Sequence, residues 1–109
     1  MKGKIVLVPF PFTDLTTVKL RPALVLYEGD QDVVVAFISS RVQALSFRGG
    51  VLVSMDHPEF SFTGLKVSSV IRLDKICTIL KDLIVGEMGE IGVSIRGLVN
   101  EAIRELYLV

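Results

Sequence analysis

In the segment SSVIRLDKICTI an arginine and an aspartate stand two residues apart, Arg72 and Asp74, within a run rich in β-branched residues. On an extended chain, residues two apart project from one face, so the guanidinium and the carboxylate lie side by side while Leu73 turns into the core. A carboxylate that takes a proton beside a cation that holds developing negative charge suits general acid–base chemistry on a phosphate ester. The same two types also form an ordinary same-face ion pair, which is common on sheets and worth only about 0–1 kcal/mol. Considered alone, the pair is more often the second of these.

A further group of cations precedes a strand. In KLRPALVL, Lys19 and Arg21 stand with Pro22 at the mouth of an unbroken apolar run. A guanidinium can grip a phosphate through two parallel bonds, which makes this an anion site; the alternative is a solubilising loop end, a reading that fits Lys19 better than Arg21. Ser39 and Ser40 close the following apolar run, with Arg41 directly after them. The Ser39 hydroxyl can donate to a phosphate oxygen or cap the strand end by satisfying a backbone group, and the residue type does not choose between them. Cys77 is the single cysteine and His57 the single histidine, so there is no disulfide framework and no convincing soft-metal cluster. Any catalysis is expected to need neither metal nor other cofactor.

These residues must be positioned by 109 residues, enough for one domain over 1–109 with a single core. Half of the residues are hydrophobic and the mean hydropathy is +0.59, yet no apolar run approaches the roughly 18 residues of a membrane helix. Lys2 and Lys4 precede IVLVPFPF, but Pro9 and Pro11 interrupt that stretch and no small-residue cleavage site follows, so a cytoplasmic protein is expected. Twelve basic residues balance twelve acidic ones, which argues against a generic nucleic-acid coat. The balance is uneven, however: residues 1–54 carry six bases against four acids, and residues 55–109 six against eight. A local basic face on the first half is compatible with that distribution.

Apolar residues recur mostly with period two or in continuous β-branched runs. Strands are expected near 3–9, 22–28, 32–39, 50–54, 66–72 and 75–80, with a short extended piece around 83–85. EGDQD reads as a hairpin turn in which Gly29 and Asp30 tolerate positive φ. PFPFTDLTTVKLRP, SSRVQALSFRGG and MDHPEFSFTG read as three irregular loops; the two prolines that open the first keep it out of a central strand. Only the tail is helical in pattern: Ile95, Leu98, Val99, Ala102, Ile103 and Leu106 form one stripe, with Ser94 as candidate N-cap and Gly97 weakening the first turn. No internal repeat is present. The expected fold is mainly β, a small, strongly bent antiparallel barrel with a C-terminal helix that plugs or flanks it.

GKIVLVPFPFTDLTTVKLRPALVL, VVVAFISSRV and SSVIRLDKICTI, in this order and spacing, resemble the PemK/MazF family of toxin endoribonucleases, which includes the Kid toxin. The likeness runs from Gly3 to the C-terminal helix. It implies an SH3-like barrel, a homodimer, and metal-independent cleavage of single-stranded RNA by attack of the 2′-hydroxyl on the scissile phosphate. It further implies a cognate antitoxin and, together with it, binding of operator DNA. By residue, the resemblance assigns catalysis to Arg72, Asp74, Arg21 and Ser39, with Asp74 as general base and Arg72 as general acid. Lys19, Ser40 and Arg41 follow as RNA-binding candidates. Because an arginine has a pKa above about 12, Arg72 is read first as charge stabiliser and second as proton donor.

Two departures reduce the positive character of this site. The Kid branch has a histidine in the first long loop where this chain has none, and Lys19 is its candidate replacement. A second family arginine, a few positions after Arg-x-Asp, is replaced here by Cys77, read as a small core residue and not a nucleophile. These losses point to weakened, altered or lost cleavage. They also keep open a reading of another class, a non-catalytic SH3-like module that holds antitoxin and, with it, operator DNA. Among the aromatic residues, Phe10, Phe12, Phe47, Phe60 and Phe62 lie in or beside loops, where rings stack unpaired bases or, more often, lid a small core.

Overall fold

The computed structural model describes residues 1–9, 19–42 and 48–109. Most of the first expected loop, the centre of the second, and Phe10, Phe12 and Phe47 lie outside those residues. The described chain forms strands β1 (Lys4–Pro9), β2 (Leu20–Glu28), β3 (Asp32–Ser39) and β4 (Gly50–Val53), a single helical turn α1 (Phe60–Thr63), strands β5 (Ser69–Leu80) and β6 (Gly86–Glu90), and helix α2 (Val93–Leu106). The strands pair in the order β4-β5-β3-β2-β1-β6, every pair antiparallel. They curl into a half-barrel closed by the C-terminal helix, the expected mainly-β architecture.

Alternation along the strands divides the apolar residues between two sheet faces. On one face Ile5, Leu24, Ala36, Ile38, Val51, Val53, Ile71 and Leu73 are buried against Ile95 and Val99 of α2. On the other, Val6, Val8, Ala23, Val25, Val33, Val35 and Phe37 form a second buried cluster, flanked by Cys77, Ile79 and Ile84. A sheet with apolar residues on both faces explains the long uninterrupted runs of the sequence.

Several expectations shift in detail. β2 begins at Leu20, two residues before the expected start, and takes Pro22 into a strand that lies between β1 and β3. The ring is tolerated because its β1 neighbour Leu7 turns its carbonyl away, accepting the Val85 N–H at 2.9 Å. The hairpin after β2 is present, closed by the Gly29 N–H on the Asp32 carbonyl at 2.8 Å, but neither Gly29 nor Asp30 has positive φ. The strands expected at 66–72 and 75–80 are one strand, β5, which begins only at Ser69 and is interrupted by a bulge. Of the extended piece expected around 83–85, Leu83 instead closes a 3-10 turn, Lys81–Leu83, while Ile84 is extended and Val85 leads into β6 at Gly86. α1 occupies the third expected loop.

Ser94 is not the N-cap of α2. That position falls on Gly92, which has no capping side chain, and the first-turn amides are met from outside by Glu59. Its carboxylate accepts the N–H of Ser94 at 3.0 Å and of Ile95 at 3.1 Å. A Cβ at Gly92 would come within 2.4 Å of the Glu59 carboxyl carbon, so glycine is what admits the cap. The bond from Ser94, followed by that from Ile95, holds the Glu59 carboxyl below its usual range. A carboxylate with a lowered folded-state pKa stabilises the fold above its unfolded pKa and loses that contribution as pH falls. Glu59→Ala is therefore expected to lower the melting temperature by several degrees at pH 7, with wild type and variant converging well below pH 4; a constant difference across that range would contradict the cap.

Candidate active site

The site grows from the irregularity in β5. Phe37 of β3 pairs with Arg72, but its neighbour Ala36 pairs with Ile76, so Leu73, Asp74 and Lys75 are extra residues with no opposite number on β3. A bulge re-aims side chains and leaves backbone groups to be satisfied elsewhere. Leu73 settles both its own: its N–H donates to the Gly49 carbonyl at 2.8 Å, and its carbonyl accepts the hydroxyl of Tyr107. With its side chain fully buried, Leu73 anchors the bulge from three directions.

On either side of that anchor, Arg72 and Asp74 turn outward and meet. Arg72 Nε donates to Asp74 Oδ1 and Arg72 Nη2 to Asp74 Oδ2, both at 2.8 Å, a bidentate fork. The fork takes two of the five N–H groups a guanidinium carries. Its hydrogen bonds hold the Asp74 carboxyl below the ordinary carboxylate range and push the Arg72 guanidinium still further up. Asp74 is consequently ionised at neutral pH, and Arg72 is an even poorer acid than a free guanidinium.

Register brings the remaining candidates to the same face. Arg72 shares its row with Phe37 and Ala23, residues of the second cluster. One row on, Ser39 lies diagonal to Arg72, and Arg21, paired with Val8 of that cluster, is on β2. Extending the Ala23↔Phe37 register by two residues sets Arg21 across from Ser39. The β2–β3 pairing stops at Ala23↔Phe37, one residue short of Pro22, which has no N–H with which to continue it. A hydroxyl thus stands between two guanidinium-bearing positions where the ladder ends. Ser39 Oγ accepts the Arg41 N–H at 3.1 Å, so it caps the strand end while its own proton remains available to donate. Lys19 precedes β2 by one residue, and Lys19, Ser40 and Arg41 are all exposed at this end of the sheet.

Cys77 and His57 stand apart. Cys77, opposite Val35, is half-buried against the second cluster, in line with a small core role. His57 Nδ1 accepts the Glu59 N–H at 3.0 Å and serves the turn that delivers the helix cap. Of the described loop aromatics, Phe60 packs on the first core cluster whereas Phe62 is 61% exposed. Sequence reasoning missed Tyr107 and Gly49, whose contacts with Leu73 arise only through the fold. Positive φ at Gly49, +97°, had its signal in the Gly-Gly pair that ends SSRVQALSFRGG.

Residues 1–107 match the sequence profile described as "PemK-like, MazF-like toxin of type II toxin-antitoxin system". No curated protein matches the chain in sequence. Among solved structures, the Mycobacterium tuberculosis toxin MazF-mt6 superposes with a TM-score of 0.73 at 23% identity, covering 94% of this chain and 93% of that one. A second, titled "Crystal structure of Mtb toxin", gives 0.71 at 21% identity over 94% and 99%. An endoribonuclease in complex with its cognate antitoxin, from a mycobacterial species, gives 0.66 at 16% identity over 96% and 89%.

Two outcomes follow from this geometry. In a carbon-detected NMR titration, the Asp74 carboxyl is expected to titrate below the usual value near 4, and Arg72→Ala to return it upward; an unchanged Asp74 pKa in the variant would mean that the fork does not exist in solution. Tyr107→Phe leaves the Leu73 carbonyl without its hydroxyl and is expected to speed hydrogen exchange of the Leu73 amide while the core amides of β2 and β3 keep their protection. Equal loss of protection throughout the sheet would show that Tyr107 supports the whole domain and not the bulge.

Proposed function

The chain belongs to the PemK-like, MazF-like toxin family of type II toxin-antitoxin systems, and from that premise we propose that it is a metal-independent endoribonuclease that cleaves single-stranded mRNA in the cytoplasm. The observation that carries this reading is the bidentate Arg72–Asp74 fork, raised on a bulge next to Ser39 and Arg21. Those residues supply what 2′-hydroxyl attack without a metal needs: a base in Asp74, cations for the phosphorane in Arg72 and Arg21, and a hydroxyl donor in Ser39, while the 5′-oxygen released as the P–O5′ bond breaks is hydrogen-bonded by Arg72 and takes its proton from solvent.

The electrostatics of the fork suggest how the base is activated. While Arg72 holds it, Asp74 is a weak base. As negative charge develops on the phosphorane, Arg72 shifts its bonding toward the phosphate oxygens, and Asp74, losing its partner, becomes more basic as the 2′-hydroxyl proton arrives. Arg21 grips a non-bridging oxygen, and the Ser39 proton donates to the phosphate or to a 2′,3′-cyclic product. Lys19, Ser40 and Arg41 extend the contact along the backbone of the RNA. A homodimer, a cognate antitoxin that covers this face, and operator binding by the pair complete the proposal; the antitoxin finds its support in family membership and in the neighbour solved with its cognate antitoxin.

Purified protein incubated with a long mRNA in excess EDTA is expected to leave discrete fragments with 5′-hydroxyl ends. Arg72→Ala and Asp74→Asn should each reduce kcat by about 10²–10⁴, with Arg21→Ala and Ser39→Ala losing less. The acid limb of kcat/KM should lie below about pH 4, because the free-enzyme pKa of Asp74 is lowered. Intact RNA with a folded wild-type protein, or undiminished cleavage by both fork variants, would overturn the ribonuclease reading; the first result would favour the non-catalytic antitoxin-binding module.

A further inference from the structure

The fork is electrically balanced, so it contributes no net charge toward an RNA backbone. Arg21 lies on the β2–β3 side of it. What stands on the opposite side, toward the edge strand β4, is Arg48. The chain reaches β4 with Gly50 opposite Arg72, and the Gly49 carbonyl accepts the N–H of Leu73, the residue between the two members of the fork. Arg48, one residue earlier in the turn that enters β4, therefore stands at the β4 end of the fork. Gly49 is itself held in place: its φ is +97°, and a Cβ there would meet Leu106 of α2 at 2.8 Å. Arg48 is exposed. Lys4, Lys81 and Arg72 engage carboxylates of Glu87 and Glu90, Glu28, and Asp74 respectively, whereas no ion pair involves Arg48 among the described residues.

We propose that Arg48 is an RNA-phosphate-binding residue that holds the backbone on the β4 side of the Arg72–Asp74 fork, across β5 and β3 from Arg21. The inference rests on the ribonuclease reading and deepens it. It also answers the loss of cationic character at Cys77, which faces the second core cluster, by supplying a cation from the turn that enters β4. Backbone phosphates held at Arg48 and at Arg21 lie on either side of the fork, so the nucleotides flanking the scissile bond are both anchored. A guanidinium is suited to this because its planar donors address two oxygens of one phosphate.

The test measures affinity for a fluorescein-labelled 2′-O-methyl oligoribonucleotide, which has no free 2′-hydroxyl to attack, as a function of salt. Each phosphate contact to a single strand contributes about 0.7 to the slope of log K against log salt. Arg48→Ala is expected to bind about tenfold more weakly at low salt and to lose about 0.7 of slope, while Arg48→Lys keeps the slope. With cleavable RNA, the loss should appear mainly in KM. Should Arg48→Ala fail to fold, Arg48→Gln carries the same comparison. An unchanged slope in a folded variant, with wild type still cleaving, overturns the role of Arg48 and leaves the ribonuclease reading intact. A slope lost equally in Arg48→Lys, with a lowered melting temperature, assigns Arg48 a structural role and also overturns the proposal. A wild-type protein that neither binds nor cleaves RNA removes both readings together.

Discussion

Everything at the candidate site depends on three residues that β3 does not pair. A regular strand through Arg72 and Asp74 would place them on one face about 6–7 Å apart at the backbone, each hydrogen-bonded into the ladder. Arg72 keeps its place in the ladder opposite Phe37, while the bulge at Leu73, Asp74 and Lys75 releases Asp74 from it and lets the two side chains close into a fork. Such a release requires the backbone to be satisfied elsewhere. Gly49 and Tyr107 do this for Leu73 from β4's entry and from the end of α2, two elements distant in sequence. Burial of the Leu73 side chain among the residues that α2 covers then couples the placement of the fork to the packing of the helix.

The helix in turn depends on a carboxylate far from the site. Glu59 holds the first turn of α2, admitted by Gly92, and α2 carries Ile95 and Val99 into the core and leads to Tyr107. A continuous chain of contacts thus runs from the cap through the helix to the bulge. On the other side of the fork, the organising constraint is an absence of a donor: Pro22 ends the β2–β3 pairing and leaves Arg21 and Ser39 at its open end. Two different interruptions of regular pairing, one by insertion and one by proline, therefore border the same small area. Catalytic residues of β proteins are often placed in this way, because a fully paired ladder has no backbone or side-chain freedom to spare.

Much of this was legible in the sequence where the signal is local. Period-two runs located the central strands, the Ile95-to-Leu106 stripe located α2, and RLD announced a cation and a carboxylate on one face with Leu73 inward. What sequence missed is non-local or atypical. GEMGE has no β-branched residue and falls in none of the expected strands, yet it pairs with β1 because a strand edge is available there. Ser94 looked like the cap because capping residues usually precede their own helix; here the cap arrives from thirty-five residues away. The break seen between 72 and 75 was real as an irregularity, but it is a bulge within one strand and not a gap between two. Arg48 gave no sign, since a cation before Gly-Gly in a loop has no special pattern until the fold brings the entry of β4 to the bulge.

The central claim is that the Arg72–Asp74 fork is a phosphate site whose guanidinium is shared between carboxylate and substrate. The most direct measurement follows the Arg72 Nε–H resonance and the Asp74 carboxyl by NMR as an oligoribonucleotide with a 2′-deoxy scissile position is titrated in. Sharing predicts a saturable shift of Arg72 Nε–H, with the Asp74 pKa moving upward in the complex as its partner turns to the phosphate. Saturable RNA binding that leaves both resonances and the Asp74 pKa as in the free protein would contradict the account, because the fork would then be only an ion pair on the surface of a sheet.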